Sequence, residues 1–154
     1  SDHGVDFITK NTQRLSRERE LVPLMIKGGN VLRGCHEKIK EIRDIPSMIF
    51  DASNIKSEWE PSNSKFVKTE SLYPNQDYEL AVRDSEAVLF FSVPWCFVRD
   101  RETHDYSFSA SLHNVKDESL KKINDEKYSI MLDVAKVHYL ELIENLRRFE
   151  DSET

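Results

Sequence analysis

Glycine, proline and cysteine are all scarce in this chain of 154 residues, which has 4 Gly, 5 Pro and 2 Cys. Two cysteines form at most one bridge, so a disulfide scaffold is excluded. The low glycine and proline content, together with 8 Phe, 5 Tyr and 2 Trp, excludes a low-complexity or fully disordered chain. The length suits a single hydrophobic core. We therefore expect one folded domain over residues 1–154.

Long apolar runs and a basic character are also missing. The longest uncharged apolar run, residues 87–98, is too short to cross a bilayer, so no membrane span is predicted. The formal net charge of −6 argues against nucleic acid as a main partner, since only the segment before residue 47 is weakly basic. The chain has few cysteines and no Asn-x-Ser/Thr sequon. We expect an intracellular protein of the cytoplasm or nucleus.

All four glycines lie in the first 34 residues, which separates this part of the chain from the rest. Apolar residues at spacings of three and four predict a helical segment over 9–43, after a flexible N-terminus at 1–8. Gly28 and Gly29 favour a break into two helices, at about 9–27 and 30–43. A single long helix with a glycine contact point fits the same pattern.

Residues 47–113 predict an antiparallel sheet of about five strands, and Pro46 is expected to end the helical stretch before it. The run 87–93 is apolar on both faces, as in a central strand that is covered on two sides. After Pro94, residues 95–98 are expected to continue as a further strand or past a bulge. Residues 106–112 alternate apolar side chains with serine, which predicts a half-buried strand with one wet face.

Residues 117–149 predict a long helix packed on the sheet, followed by an acidic tail at 150–154. Its apolar seam repeats at alternating spacings of four and three: Tyr128, Leu132, Ala135, Tyr139, Leu142, Leu146 and Phe149. Further apolar residues widen this seam beyond half of the circumference, so two partners are needed to cover the helix. The predicted fold class is α+β, with an N-terminal helical segment, a central antiparallel sheet and a long C-terminal helix.

Motifs for catalysis or metal binding are lacking. No pair of the five histidines has the spacing of a zinc site, so we predict no metal, no cofactor and no catalytic residue. Cys35 and Cys96 lie among apolar neighbours and are expected to be buried and reduced. An enzyme would need an unrecognised site around Cys96, His104 and His113.

The apolar surplus of the last helix favours a non-enzymatic protein–protein interaction domain, a module of a larger intracellular assembly. It would bind a protein partner or a second copy through apolar helix surface. The predicted partner-binding residues are Trp59, Tyr128, Leu132, Tyr139, Leu142, Leu146 and Phe149. Trp59 is included because a tryptophan in a polar loop is a residue type enriched at binding hot spots.

A second hypothesis is a domain that senses a small molecule or lipid. Its apolar pocket would lie under the helices and be lined by Phe90, Phe91, Trp95 and Phe97.

In predicted topology the chain resembles two families. One is the RWD-type domain of kinetochore and ubiquitin-pathway proteins, in which a heptad-bearing segment often leads into the sheet. Tyr73–Pro74 is similar to the tyrosine–proline element of that family, although its second proline is absent here. The other is the GAF-like sensory fold, whose N- and C-terminal helices cover one face of the sheet. These resemblances concern topology alone, and fold does not fix function.

Overall fold

The computed structural model describes residues 24, 25, 27, 34, 42–56, 65–116, 119–121 and 126–152. Their secondary structure begins with a 3-10 turn, Ile42–Asp44, and helix α1, Ile45–Ala52. Strands β1 (Val67–Ser71), β2 (Tyr78–Arg83) and β3 (Ala87–Val93) follow, then the short helix α2 (Trp95–Arg99), strand β4 (Ser109–Asn114) and the long helix α3 (Glu126–Ser152). The predicted α+β class is confirmed.

The four strands form one antiparallel sheet in the order β1-β2-β3-β4, so each strand pairs with its neighbour in the chain. Strands β1 and β2 are joined by a turn after Tyr73, with Asn75 in the left-handed region at φ +62°, a conformation that asparagine tolerates better than most residues. The register pairs Glu79 with Ser92 and Ser92 with Ser109.

Helix α3 covers one face of this sheet. Four of its residues at successive spacings of four are fully buried: Met131, Ala135, Tyr139 and Ile143. Such residues share one face of a helix. They belong to the same core cluster as Leu80, Leu89, Phe91 and Leu112 of the sheet. Side chains alternate along a strand, so the residues directly before and after each of these four on its own strand point to the opposite face of the sheet.

Strand β3 is central, and all of its residues except Ser92 are buried, which confirms the strand predicted from its two apolar faces. The further strand predicted at 95–98 is wrong, because these residues form helix α2. Pro94 stands at the N-cap of α2, and the Trp95 N–H donates to the Asp77 carboxylate over 3.1 Å. The described sheet therefore has four strands instead of about five.

Pro46 was expected to end a helical stretch, but helix α1 begins next to it, at Ile45. Pro46 lies in its first turn, where a fixed φ and a missing N–H are tolerated, so residues 47–52 are helical and not part of the sheet. Leu24, Met25, Lys27 and Gly34 lie in no helix or strand. The rest of the predicted segment 9–43 up to residue 41, and residues 1–8, lie outside the described residues.

Helix α3 begins later than predicted, at Glu126 instead of 117, and extends to Ser152, into the predicted acidic tail. The segment before it is extended in part, because Leu120 forms an isolated antiparallel bridge with His113. The Lys121 N–H donates to the Leu112 carbonyl over 2.7 Å. Tertiary pairing with β4 therefore delays the start of the helix.

Candidate interaction surface and polar cavity

The inner face of α3 carries most of the predicted partner-binding seam. Tyr139 is fully buried, and its hydroxyl donates to the Glu102 carbonyl over 3.0 Å. Burial raises the pKa of Tyr139 to about 12. Four other seam residues are partly buried and pack against the core: Tyr128, Leu132, Leu142 and Leu146. Most of the apolar seam thus serves the core of this chain.

The last two predicted partner-binding residues differ from these. Phe149 is 64% exposed near the C-terminal end of α3. Trp59 lies outside the described residues. Both remain predictions.

The outer face of α3 carries a second, exposed line of apolar residues, namely Ile130, Val137 and Leu140. Together with Asp133 and Glu144 they repeat at spacings of three and four, so that all five lie along one stripe of the helix. We call these five residues the outer stripe. Its charged members are both acidic and exposed.

Three basic residues of α3 are directed to the body of the protein and not to the outer stripe. The Lys127 ammonium lies 2.9 Å from Asp84 Oδ2 and 2.7 Å from Glu86 Oε2. The Lys136 ammonium lies 4.9 Å from the centre of the Phe108 ring. Arg147 also turns inward, since its guanidinium donates to the Arg101 carbonyl over 2.6 Å. The charged members of the outer stripe itself are thus acidic, and a fourth basic residue, Arg148, contacts one of them, Glu144, over 3.2 Å.

Helix α1 and the residues on either side of it have an inverted burial pattern, with polar side chains buried and apolar ones exposed. Asp44 and Ser47 are buried, whereas Ile42, Ile49 and Ile55 are exposed. The buried Ser47 hydroxyl donates to the Asp44 carbonyl over 2.8 Å, so its polar group is satisfied. Apolar surface in this part of the chain faces outward.

The face of the sheet opposite α3 holds a cavity of about 170 Å³. It is lined by Glu79, Phe90, Ser92, Ser109 and Ser111, and by Leu80, Phe91 and Ala110. Of the four residues predicted to line an apolar pocket, Phe90 and Phe91 line this cavity. Trp95 and Phe97 instead pack against the core.

The sequence pointed to part of this cavity, since the serines alternating over 106–112 were expected on a wet face. Ser109 is indeed exposed and Ser111 half-buried, whereas Leu112 between Ser111 and His113 is fully buried. Glu79 and Ser92 were missed, because they join these serines only through the register of three strands.

Cys96 and His113, two of the three residues named for an unrecognised enzyme site, lie far apart. Cys96 lies on α2, beyond the Val93 end of β3, while His113 pairs with Val88 near the other end. Five residues of extended strand separate Val93 from Val88, about 16 Å. His113 Nε2 instead lies 2.8 Å from the Ser111 hydroxyl, on the face with the cavity.

His104 and Cys96 are both exposed. His104 lies in the loop after α2. Cys96 is a free, exposed thiol, so the expectation that it is buried is wrong. The cause is helix α2, which turns this position outward, whereas Val98 of the same helix is buried. Cys35 lies outside the described residues.

The fold and contacts define an α+β domain, a four-stranded antiparallel sheet with a long helix on one face. No family model, curated protein or solved structure matches the chain. Within the part of the chain that the structure describes, no helix is long and apolar enough to cross a bilayer. The same residues contain no group of three or more His, Cys, Asp or Glu side chains arranged to hold a metal ion.

Proposed function

We propose that this chain is a non-enzymatic protein–protein interaction module of a larger intracellular assembly, and that it binds its partner through the outer stripe of α3. The observation that carries this proposal is that Ile130, Val137 and Leu140 remain exposed on a helix whose inner face already fills the core. A helix with apolar residues on both sides is typical of one that packs against two neighbours.

The spacing of the outer stripe suits a helical partner. Its positions 130, 133, 137, 140 and 144 follow the three-and-four alternation of a coiled-coil seam. Helix α3 spans 27 residues, which is close to four heptads. A partner helix can therefore lie along α3 for several turns.

The charges of the stripe select the partner. Asp133 and Glu144 occupy seam positions, where a facing carboxylate would be repelled and a Lys or Arg attracted. Glu144 also pairs with Arg148 over 3.2 Å, but both side chains are more than half exposed, so this pair is worth little and is easily exchanged. The expected partner is an amphipathic helix with basic residues beside its apolar seam.

A second copy of this chain fits the stripe poorly. A parallel, in-register pair of α3 helices would place Asp133 of one copy against Asp133 of the other. An antiparallel pair centred between Val137 and Leu140 would place Asp133 opposite Glu144 of the other copy. Both arrangements bring carboxylates together at the seam, which is destabilising.

Two synthetic peptides test this proposal directly. Both are 21-residue helices with Leu at the seam positions that face Ile130, Val137 and Leu140. The first has Lys opposite Asp133 and Glu144, and the second has Glu at those two positions. Fluorescence anisotropy should show the Lys peptide binding at least tenfold more tightly, with an affinity that falls as salt rises. Equal binding of the two peptides, or binding of neither, would contradict the proposal.

Matched variants then locate the site. Val137→Glu should weaken binding of the Lys peptide at least tenfold. Ile49→Glu is the control, because Ile49 is 53% exposed and Val137 is 54% exposed, on different helices. Analytical sedimentation of the free protein should show a monomer. A dimer that Val137→Glu dissociates would show that the occupant is a second copy instead of a basic helix.

A further inference from the structure

Asp133 and Glu144, the two carboxylates of the outer stripe, differ in their immediate surroundings. Glu144 Oε1 lies 3.2 Å from Arg148 Nε one turn further along α3, so Glu144 already has a counter-ion. Within the part of the chain that the structure describes, no salt bridge joins Asp133 to a basic side chain. On α3, the positions one turn away from Asp133 are 129, 130, 136 and 137, and only Lys136 among them is basic. The ammonium of Lys136 lies 4.9 Å from the centre of the Phe108 ring.

The two carboxylates also differ in their position along the outer stripe. Asp133 lies between the exposed apolar residues Ile130 and Val137, so a helix that packs on both of them also covers the carboxylate. Taking a carboxylate out of water without a partner is costly. Glu144 stands at the end of the stripe and is covered together with Arg148. Docking of a helix therefore leaves only Asp133 in need of a cation from the partner.

We propose that Asp133 is the residue of the outer stripe that determines specificity, so that the partner helix needs a Lys or Arg opposite Asp133 and none opposite Glu144. This inference rests on the proposed function, because it concerns the same surface and the same partner. A charged donor opposite Asp133 forms a strong, charge-assisted hydrogen bond with the carboxylate. A Lys opposite Glu144 is attracted by that carboxylate but repelled by Arg148.

The contact with Asp133 also sets the direction of the partner. Asp133, Val137, Leu140 and Glu144 are spaced symmetrically about the midpoint between residues 138 and 139. These four positions alone accept a helix in either direction. A single basic residue opposite Asp133 selects the direction that places the basic end of the partner over the N-terminal half of α3.

Charge-neutral variants of the protein test the inference with the 21-residue Lys peptide. Asp133→Asn should weaken binding about threefold or more, as expected for the loss of one ion pair, whereas Glu144→Gln should weaken it by less than about 1.5-fold. Asp51→Asn is the control, because it makes the same change at an exposed position of α1 and should leave the affinity unchanged. Equal weakening by Asp133→Asn and Glu144→Gln would overturn the inference and leave the proposed function standing.

Removal of Arg148 should make Glu144 behave like Asp133. In an Arg148→Gln background, Glu144→Gln should weaken binding of the Lys peptide about threefold. This coupling shows that Arg148 compensates Glu144, since a residue outside the interface has no effect in either background. These positions are all exposed, so the variants should keep their fold. The same small effect of Glu144→Gln in both backgrounds would overturn the inference.

The direction of the partner is tested with two further peptides on the same Leu seam. Each has one Lys, near its N-terminus in one peptide and near its C-terminus in the other, with Gln at the second charged position and a maleimide-linked nitroxide at the Lys end. In ¹H–¹⁵N NMR spectra both peptides should broaden the amide signals of residues 126–133 more than those of residues 144–152. Asp133→Asn should abolish this difference.

The outcomes separate the two proposals. Stronger broadening of residues 144–152, or broadening that follows the same end of the peptide whichever end has the Lys, would overturn the inference alone. Failure of the Lys peptide to bind, or binding that Val137→Glu does not weaken, would overturn the proposed function and this inference with it.

Discussion

His138 of helix α3 and Glu70 of edge strand β1 are joined directly, with His138 Nε2 3.1 Å from Glu70 Oε2. The same carboxylate oxygen accepts a hydrogen bond from the Tyr78 hydroxyl, also over 3.1 Å. The hydrogen bond with His138 lowers the pKa of Glu70, against the opposing effect of burial. One partly exposed carboxylate thus connects the helix, the edge strand and the core.

This link predicts a pH-dependent stability. Because the pKa of Glu70 is lowered in the folded state, its contribution is present above the unfolded value of about 4.3 and is lost as the pH falls through the folded value. Glu70→Gln should lower the free energy of unfolding at pH 7 by about 0.2–1 kcal/mol, as for other exposed pairs. The difference from the parent protein should shrink towards pH 3 in urea unfolding.

A nearby carboxylate provides the control for Glu70. Glu141 Oε2 lies 3.8 Å from His138 Nδ1, and its side chain is more exposed than that of Glu70. Glu141→Gln should therefore change stability less at pH 7. An equal loss of stability in Glu70→Gln and Glu141→Gln would show that the contact of His138 with the edge strand has no special importance.

The turn between β2 and β3 anchors the start of α3, and its two carboxylates should differ in importance. Burial raises the pKa of Asp84, but hydrogen bonds from the Glu86 N–H, from Lys127 and from the Ala87 N–H outweigh it, so the pKa is lowered overall. Asp84→Ala should cost about 1–3 kcal/mol in urea unfolding, since the N–H of the buried Ala87 loses a charged acceptor.

Glu86→Ala is the control for Asp84, because it removes the other carboxylate that contacts Lys127. The Glu86 side chain is 70% exposed, against 9% for Asp84. The expected change is below about 1 kcal/mol. If Glu86→Ala costs as much as Asp84→Ala, the contact with Lys127 matters and the backbone hydrogen bonds of Asp84 do not.

Tyr139 and Val137 separate the two faces of α3. Tyr139→Ala removes a buried aromatic ring and should lower the free energy of unfolding by about 3–5 kcal/mol. Tyr139→Phe removes only the hydrogen bond to Glu102 and should cost about 0.5–1.5 kcal/mol. Val137→Ala, on the outer stripe, should stay within about 0.5 kcal/mol. Thermal unfolding measures all three, and a small effect of Tyr139→Ala would place that residue outside the core.

Cys96 should react rapidly in the folded protein. Its thiol is exposed on α2, so Ellman's reagent should modify it without denaturant. Cys96→Ser should remove this fast reaction, and Cys35→Ser should retain it. Stability should be nearly unchanged in Cys96→Ser, as for other exposed positions. A fast reaction that persists in Cys96→Ser would mean that another group is being modified.

Local patterns in the sequence were enough for the elements whose side chains repeat over many residues. The period of α3 and the two apolar faces of β3 are features of adjacent residues, so both elements were predicted in type and approximate position. The serines of β4 were likewise expected on a wet face. In each case burial of the apolar side chains stabilises the helix or strand whose period the sequence already contains.

Long-range contacts determined the positions where elements end or begin, which the local repeats do not specify. The apolar run 87–98 does not contain the reason for bending at Pro94, because part of that reason is Asp77, which accepts from the Trp95 N–H across 18 residues of sequence. The start of α3 depends in the same way on the pairing of Leu120 with His113. Neither contact leaves a periodic signal near the position that it controls.

The sequence by itself determined the α+β class, the central strand and the long C-terminal helix, because periodic burial is a local property. The tertiary structure decided which face of α3 fills the core and which carries exposed apolar residues between Asp133 and Glu144. It also decided that Glu79, Ser92 and Ser109 stand in one row, since strand register alone brings them together. The proposed interaction surface depends on such a non-local arrangement, which a single sequence does not contain.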